Sequence, residues 1–478
     1  MARFIKKHGV TAVLLINIIL LAILMLWLQN SLKAATFDLE DLFGQRDELN
    51  GICITGSLHD AGHSLEFTLE DGKITTYTTI YDSYSDYLDQ IREYPYIWSL
   101  SDNKNTDILA SISSRISNSA ETLVQEKEIA TGEFTSFGEE IVVKKTVTYA
   151  NEVDYYCYVR LFDDLFETAL FKTGISRKSD RKEFMFEDES HCVKTENELI
   201  PIYASQGVAS AYNHRVYPKV VKAGGKYFVT ITTNEFCSGS GGIYRIDEFE
   251  RYDYERDRFG RVTKTVDVDL KGGKVEVIGL EAVSDKLLLL LKDNNRLVLR
   301  LHDTDGSLLD EIKPDIPEIR GDGEYGNSYM CFVNGNNAHI VINSESKIVA
   351  DDFSIVSLSI GDRIELNHIL KDFRTNGGRN QAFLAVESVN EKLVVINGVY
   401  EVGVKAEDIY MHAPEIQINI FDRSGELKYQ GKILTDMKDD YMVPDNSYSI
   451  REWHTYPRRS LDILTISGSD NQKLTGVE

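Results

Sequence analysis

The chain has 478 residues, 42% of them aliphatic, aromatic or cysteine, and a formal net charge of −24. Such an acidic field excludes electrostatic capture by nucleic acid or anionic lipid, because like charges repel before contact. Eight prolines exclude a Pro-rich stalk. The cysteines (Cys53, Cys157, Cys192, Cys237, Cys331) are too few and too scattered for a disulfide scaffold, although one or two bridges stay open.

Residues 10–28 are almost unbroken in apolar character, interrupted by Thr11 and Asn17. As a helix rising 1.5 Å per residue they match a bilayer core of about 30 Å. A cleaved signal peptide has a shorter apolar core, and Lys33 stands where its cleavage site needs a small residue. The segment therefore reads as an uncleaved anchor. Arg3, Lys6 and Lys7 precede it and acids follow, which places residues 1–9 in the cytoplasm and the remainder outside.

Residues 29–47 read as an acidic connector, with a folded domain over 48–470 and a tail over 471–478. Leu65, Phe67 and Leu69 alternate, Glu70-Asp71-Gly72 turns, and residues 73–80 return as the second arm of a hairpin. Residues 85–94 and 107–126 read as helices within an insertion over about 82–127. In the second, Ile108, Ile112, Ile116, Ala120 and Leu123 recur at three- and four-residue spacing. Strand patterns resume at 141–149 and 153–162. They continue through 220–233, 244–254 and 262–280, with Gly-Gly turns at 224–225 and 272–273.

Residues 280–313 contain the clearest meander. Leu287–Leu291 is an apolar run too short for a typical helix, residues 296–302 alternate, and Asp303-Thr304-Asp305-Gly306 reverses the chain. Similar corners end at Gly260, Gly361 and Gly425, and Glu281-Ala-Val-Ser-Asp-Lys-Leu287 resembles Glu387-Ser-Val-Asn-Glu-Lys-Leu393. Units of this size, each a small antiparallel sheet, resemble the blades of the β-propeller superfamily. The resemblance covers about 244–433 and implies six to eight blades, with residues 460–466 as a closing strand. The rival architecture is two β-sandwich domains divided near Asp180.

Few constellations carry chemistry. Asp303, Asp305, Gly306 and Glu311 resemble part of a calcium loop, but the EF-hand spacing fails and a structural turn is the better reading. Cys237-Ser-Gly-Ser-Gly-Gly242 lacks both nucleophile-elbow and phosphate-loop spacing, so it reads as a mobile loop. No histidine pair has metal-ligand spacing, and no cofactor is implied. The candidate ligand-binding residues are aromatic and basic. Trp453, His454, Tyr456, Arg458 and Arg459 form one cluster, and Tyr94, Tyr96 and Trp98 a second. Such rings stack on sugars, and paired arginines grip carboxylate or phosphate.

Three functions fit this chain. The first is a non-enzymatic binding or scaffolding module at a bacterial plasma membrane, with a protein or cell-envelope polymer as partner. The second is a hydrolase of envelope glycans or esters, with acids gathered in a propeller funnel. The third is a sensor subunit, which must signal through a membrane partner because about nine residues lie inside.

Overall fold

The structure is a computed structural model that describes residues 17–24, 37–59, 63–80, 108–125, 129–130, 142–161, 167–186, 192–194, 199–201, 216–251, 260–319, 329–343, 353–373, 381–399, 415–435 and 460–468. Residues 17–24 are helical, with Ile18, Leu20 and Ile23 each more than half exposed. Among the described residues no helix is long and apolar enough to cross a membrane. The rest of the apolar segment over 10–28 lies outside the described residues.

The described remainder is almost entirely strand. The first four strands are β1 (Phe37–Gly44), β2 (Ile52–His59), β3 (His63–Glu70) and β4 (Lys73–Ile80), with a 3-10 turn at Arg46–Leu49 after β1. Then come β5 (Ile108–Gln125), β6 (Ile129–Ala130), β7 (Val142–Leu161), β8 (Glu167–Phe186), β9 (Cys192–Lys194) and β10 (Leu199–Pro201). Next are β11 (Pro218–Ala223), β12 (Lys226–Ile231), β13 (Cys237–Ile246), β14 (Glu250–Arg251) and β15 (Val262–Asp269). A run of hairpins follows: β16 (Val275–Val283), β17 (Lys286–Asp293), β18 (Arg296–His302), β19 (Leu308–Ile312), β20 (Tyr329–Asn334), β21 (Asn337–Asn343), β22 (Phe353–Ile360) and β23 (Ile364–Phe373). The last strands are β24 (Gln381–Val389), β25 (Lys392–Val399), β26 (Glu415–Phe421), β27 (Leu427–Thr435) and β28 (Ser460–Gly468).

These strands fall into two compact units, one of Met1–Ile97 with Thr375–Glu478 and the other of Trp98–Arg374. The first unit holds two antiparallel sheets, ordered β1-β27-β26-β25-β24 and β28-β2-β3-β4. The two ends of the chain are therefore exchanged between sheets: N-terminal β1 pairs with β27, and C-terminal β28 pairs with β2. Leu39, Ile54, Phe67, Ile396, Ile418 and Ile466 share the core between them. Residues 37–44, expected within a connector, are thus a working strand, and Leu39 is its buried residue.

The second unit holds an eleven-stranded sheet and two four-stranded meanders, β16-β17-β18-β19 and β20-β21-β22-β23. Strand β17 explains the stacking. Leu287, Leu289 and Leu291 enter the core shared with the large sheet, and Leu288 and Leu290 enter the core shared with β20–β23. Five consecutive leucines are buried because the strand is covered on both faces, each contributing roughly 2 kcal/mol.

The internal resemblance holds position for position. Val283 faces Lys286 in one hairpin and Val389 faces Lys392 in the other. The inner strands bulge at equivalent places, between Val277 and Gly279 and between Phe383 and Ala385. The turns after β18 and β26 also match: Asp303 Oδ1 accepts from the backbone N–H of Asp305 and Ser307, as Asp422 Oδ1 does from Ser424 and Glu426. The Asp303 corner is a turn whose carboxylate serves its own backbone.

Three expectations are corrected. Residues 108–125 form a strand, β5, that pairs with β7. A four-residue apolar spacing satisfies period two as well as 3.6, and Ile108 is 3% exposed while Leu109 is 46% exposed, the alternation of a pleat. Asp180 lies inside β8 opposite Ala150, so no domain boundary falls there. Residues 237–242 are the first half of β13, paired with β8 and β15. Their glycines allow close backbone approach: a Cβ on Gly239 would stand 2.3 Å from the Gly174 carbonyl oxygen. The expected helix at 85–94 lies outside the described residues.

Candidate functional site

In the second unit, β11 at the edge of the eleven-stranded sheet and β16 and β20, the first strands of the two four-stranded meanders, each deliver one polar side chain to a common point. Lys219 Nζ donates to Glu281 Oε1 and to the Tyr329 hydroxyl, and Tyr329 Oη donates to the same carboxylate oxygen at 2.8 Å. The ammonium also lies 4.3 Å from the centre of the Tyr329 ring. Lys219 is 9% and Tyr329 6% exposed, whereas Glu281 is half-buried.

Local sequence explains each placement. Lys219 is the second residue of β11, ahead of the buried Val220 and Val221, so its stem runs along apolar surface while its head reaches the next sheet. Glu281 follows the inner-strand bulge of β16, which re-aims the residues beyond it. Tyr329 begins β20 and lies across Gly279, where a Cβ would stand 2.1 Å from its hydroxyl oxygen. Glycine at 279 is therefore the seat of the tyrosine ring.

The chemistry is that of a satisfied triad. The ammonium and carboxylate neutralise each other in a low-dielectric setting, and the phenol closes the triangle. Near the other end of β16, Glu276 Oε1 pairs with Lys292 Nζ of β17 at 2.8 Å, with both side chains 6% exposed. Burial pushes the Cys157, Cys237 and Tyr244 groups upward, holding all three protonated at neutral pH. Cys53, Cys157 and Cys237 are free thiols.

The first unit carries a different buried network on the face of its β24–β27 sheet turned away from its core. Asn419 Nδ2 donates to Asn397 Oδ1 at 2.7 Å, and Gln430 Nε2 donates to Asn419 Oδ1 at 2.8 Å. Gln417 Nε2 and Lys432 Nζ both reach the Glu415 carboxylate at 2.7 Å. These amides occupy cross-strand positions, so the ladder follows from register.

The aromatic and basic residues singled out from sequence, Tyr94, Tyr96, Trp98, Trp453, His454, Tyr456, Arg458 and Arg459, all lie outside the described residues. Among the described residues no cluster of His, Cys, Asp or Glu has the arrangement of a metal site. Sequence reasoning did not find Lys219, Glu281 and Tyr329. The one signal was the position of Glu281 in the repeated Glu-x-Val segment shared with Glu387.

No protein-family model matches the chain, and no curated protein matches it. A solved structure from a study of two prolyl endopeptidases is similar over 74% of this chain and 54% of that one, at 7% identity and a TM-score of 0.20. The chain thus spans about half the length of that structure, and a likeness at this level carries no functional argument.

Proposed function

We propose that this protein is a membrane-anchored β-propeller of six to eight blades that acts as a binding or scaffolding module on the outer face of a bacterial plasma membrane. The observation that carries this reading is the Lys219–Glu281–Tyr329 triad. Its acid and base are committed to each other, which builds a fixed polar recognition point rather than a free nucleophile or proton donor. Residues 10–28 supply the anchor, and the partner is a protein or an envelope polymer that meets the half-buried Glu281.

The test is gentle detergent extraction of the tagged full-length chain, compared with Tyr329→Phe and with Lys219→Met combined with Glu281→Gln. A stoichiometric partner retained by the wild type and lost from the variants is the expected result. Hydrolysis of an envelope glycan or ester that vanishes in Glu281→Gln, with the fold intact, would replace this reading with the enzymatic one.

The sensor reading is favoured by one observation. Strand β1, the first element after residues 10–28 among the described residues, is built into a sheet beside β27, so displacement of an anchor would load that pairing.

A further inference from the structure

In the first unit, β4 is the last strand of the β28-β2-β3-β4 sheet, and among the described residues its outer edge pairs with no other strand. Strand β1 approaches from the neighbouring sheet through the Phe37–Phe67 ring stack, with centres 4.3 Å apart, but its ladder is with β27.

The hairpin fixes which backbone groups the β4 edge presents. Asp71 and Gly72 both take positive φ, 49° and 73°, as a two-residue turn of type I′ requires. Glu70 and Lys73, which flank the turn, are therefore a hydrogen-bonded pair, and the register runs on to Ile80 without a shift. Pairs alternate along an antiparallel ladder, so Thr75 and Tyr77 turn their N–H and C=O groups toward β3. Ile74, Thr76, Thr78 and Ile80 turn theirs outward. Tyr77 is 68% exposed, and Thr75 and Thr76 are exposed as well.

The strands that end other sheets are guarded. β1 carries Asp38, Glu40 and Asp41 and bulges before Phe43. β19 carries Asp310 and Glu311 and shifts register against β18. β23 carries Glu365, Lys371 and Asp372 and shifts register twice against β22. Charges and bulges of this kind keep one sheet edge from pairing with another. From Ile74 to Ile80, β4 has no charge, no proline and no bulge, in a chain whose formal net charge is −24. Two acidic copies can meet along this edge without setting like charges face to face.

The order of its residues selects the partner. Ile74-Thr75-Thr76-Tyr77-Thr78-Thr79-Ile80 reads the same in both directions. In antiparallel pairing, a second β4 therefore sets Tyr77 against Tyr77, Thr76 against Thr78 and Ile74 against Ile80. The same patch serves both subunits, as a two-fold contact requires. The outward groups exchange about eight backbone hydrogen bonds, and the Tyr77 pair falls at a non-hydrogen-bonded position, where side chains lie closest. Aromatic and Thr–Thr cross-strand pairs add to the ladder. Pairing occupies the β4 edge of both copies, so it closes at two.

We propose that β4 is the interface of a homodimer, in which two copies of the chain join their sheets through an antiparallel β4–β4 ladder centred on Tyr77.

The test follows the full chain in detergent by sedimentation, with amide exchange as a second reading. The wild type is expected to dimerise, and more tightly at higher salt, which screens the repulsion between acidic copies. Thr76→Pro removes an outward N–H and none that β3 uses, so it should fold and stay monomeric. Should that variant not fold, Tyr77→Lys decides: it should raise the dissociation constant about thirtyfold, exchanging an aromatic pair for two opposed ammonium groups. The Thr76 and Thr78 amides should be protected in the wild type, and the Thr78 amide should lose protection in either variant. Under mild oxidation Tyr77→Cys should cross-link to its copy, since facing residues at such a position stand about 4.5 Å apart, whereas Thr75→Cys should not. A monomeric wild type, a dimer that both variants retain, or open-ended assembly would overturn the proposal. So would protection of the Thr76 and Thr78 amides in a monomer, which would assign the edge to a segment of the same chain.

Discussion

Lys219 and Glu281, 62 residues apart in sequence, close an ion pair between the edge strand of the eleven-stranded sheet and the first strand of the next meander, with side chains 11% and 13% exposed. Removing one member strands the other charge. Glu281→Gln should cost about 3 kcal/mol, and Lys219→Met in that background should recover much of the loss, because the pair as a whole gains little over an apolar replacement. Urea unfolding of the four members of the double-mutant cycle measures the coupling. Additive single effects would show that the pair does not interact.

How far such a site can be read from sequence depends on range. The β16–β19 meander was legible because its signals are local: Leu287–Leu291 is one run, and Asp303 and Gly306 form one turn. Its relation to β24–β27 was legible because Glu281–Leu287 and Glu387–Leu393 share letters. Strand β5 was misread because Ile108, Ile112 and Ile116 stand four apart, a spacing that both periodicities accept. The glycines at 239, 241 and 242 read as freedom, yet they serve close packing within a sheet. The triad was not legible at all, since nothing local to Lys219 marks the two strands that meet it.

The Tyr329 ring over Gly279 gives a second test. Ala385 occupies the equivalent place in the β24–β25 hairpin, so the bulged backbone accepts a methyl group. Any penalty at 279 therefore comes from the tyrosine. Gly279→Ala should destabilise by about 1–3 kcal/mol through overpacking. The same change in a Tyr329→Leu background should cost almost nothing. Equal penalties in both backgrounds, read by urea unfolding, would place the strain in the backbone instead.

His302 predicts a pH dependence. Its ring is 4% exposed, Nδ1 lies 3.1 Å from the Gly306 carbonyl oxygen, and buried Nε2 has no partner among the described residues. Burial is the main cause that lowers its pKa from the ordinary 6.5. Unfolded, the ring takes its proton near 6.5; folded, it takes it only at lower pH. Between those values the unfolded state binds more protons, so stability is whole above about pH 6.5 and falls as pH drops toward the folded value. Phe421 holds the equivalent position in the other sheet. His302→Phe should therefore flatten the pH 5–7 slope of the melting temperature, and an unchanged slope would assign it to another group.

The last prediction concerns the strand next to the apolar segment. Tyr429 Oη donates to Asp41 Oδ1 at 2.7 Å, Arg46 Nε donates to the same oxygen at 2.9 Å, and an Arg46 amine reaches the Leu39 carbonyl at 2.7 Å. Together they clamp β1 to β27. The Arg46 hydrogen bond is the main cause that lowers the Asp41 pKa; burial opposes it and Tyr429 adds to it. A carboxylate depressed in the folded state stabilises above its unfolded value of 3.8, and that contribution is lost as pH falls through the lower folded value. Tyr429→Phe removes one charge-assisted hydrogen bond and should cost about 1 kcal/mol, a roughly fivefold faster amide exchange across Phe37–Gly44. Exchange in β3 and β4, on the other sheet, should stay unchanged. Asp41→Asn should give the same local loosening and weaken the response of β1 exchange to pH below 4. If β1 exchanges at the wild-type rate in both variants, the strand is held by its backbone ladder and by Leu39 alone, and the clamp is incidental.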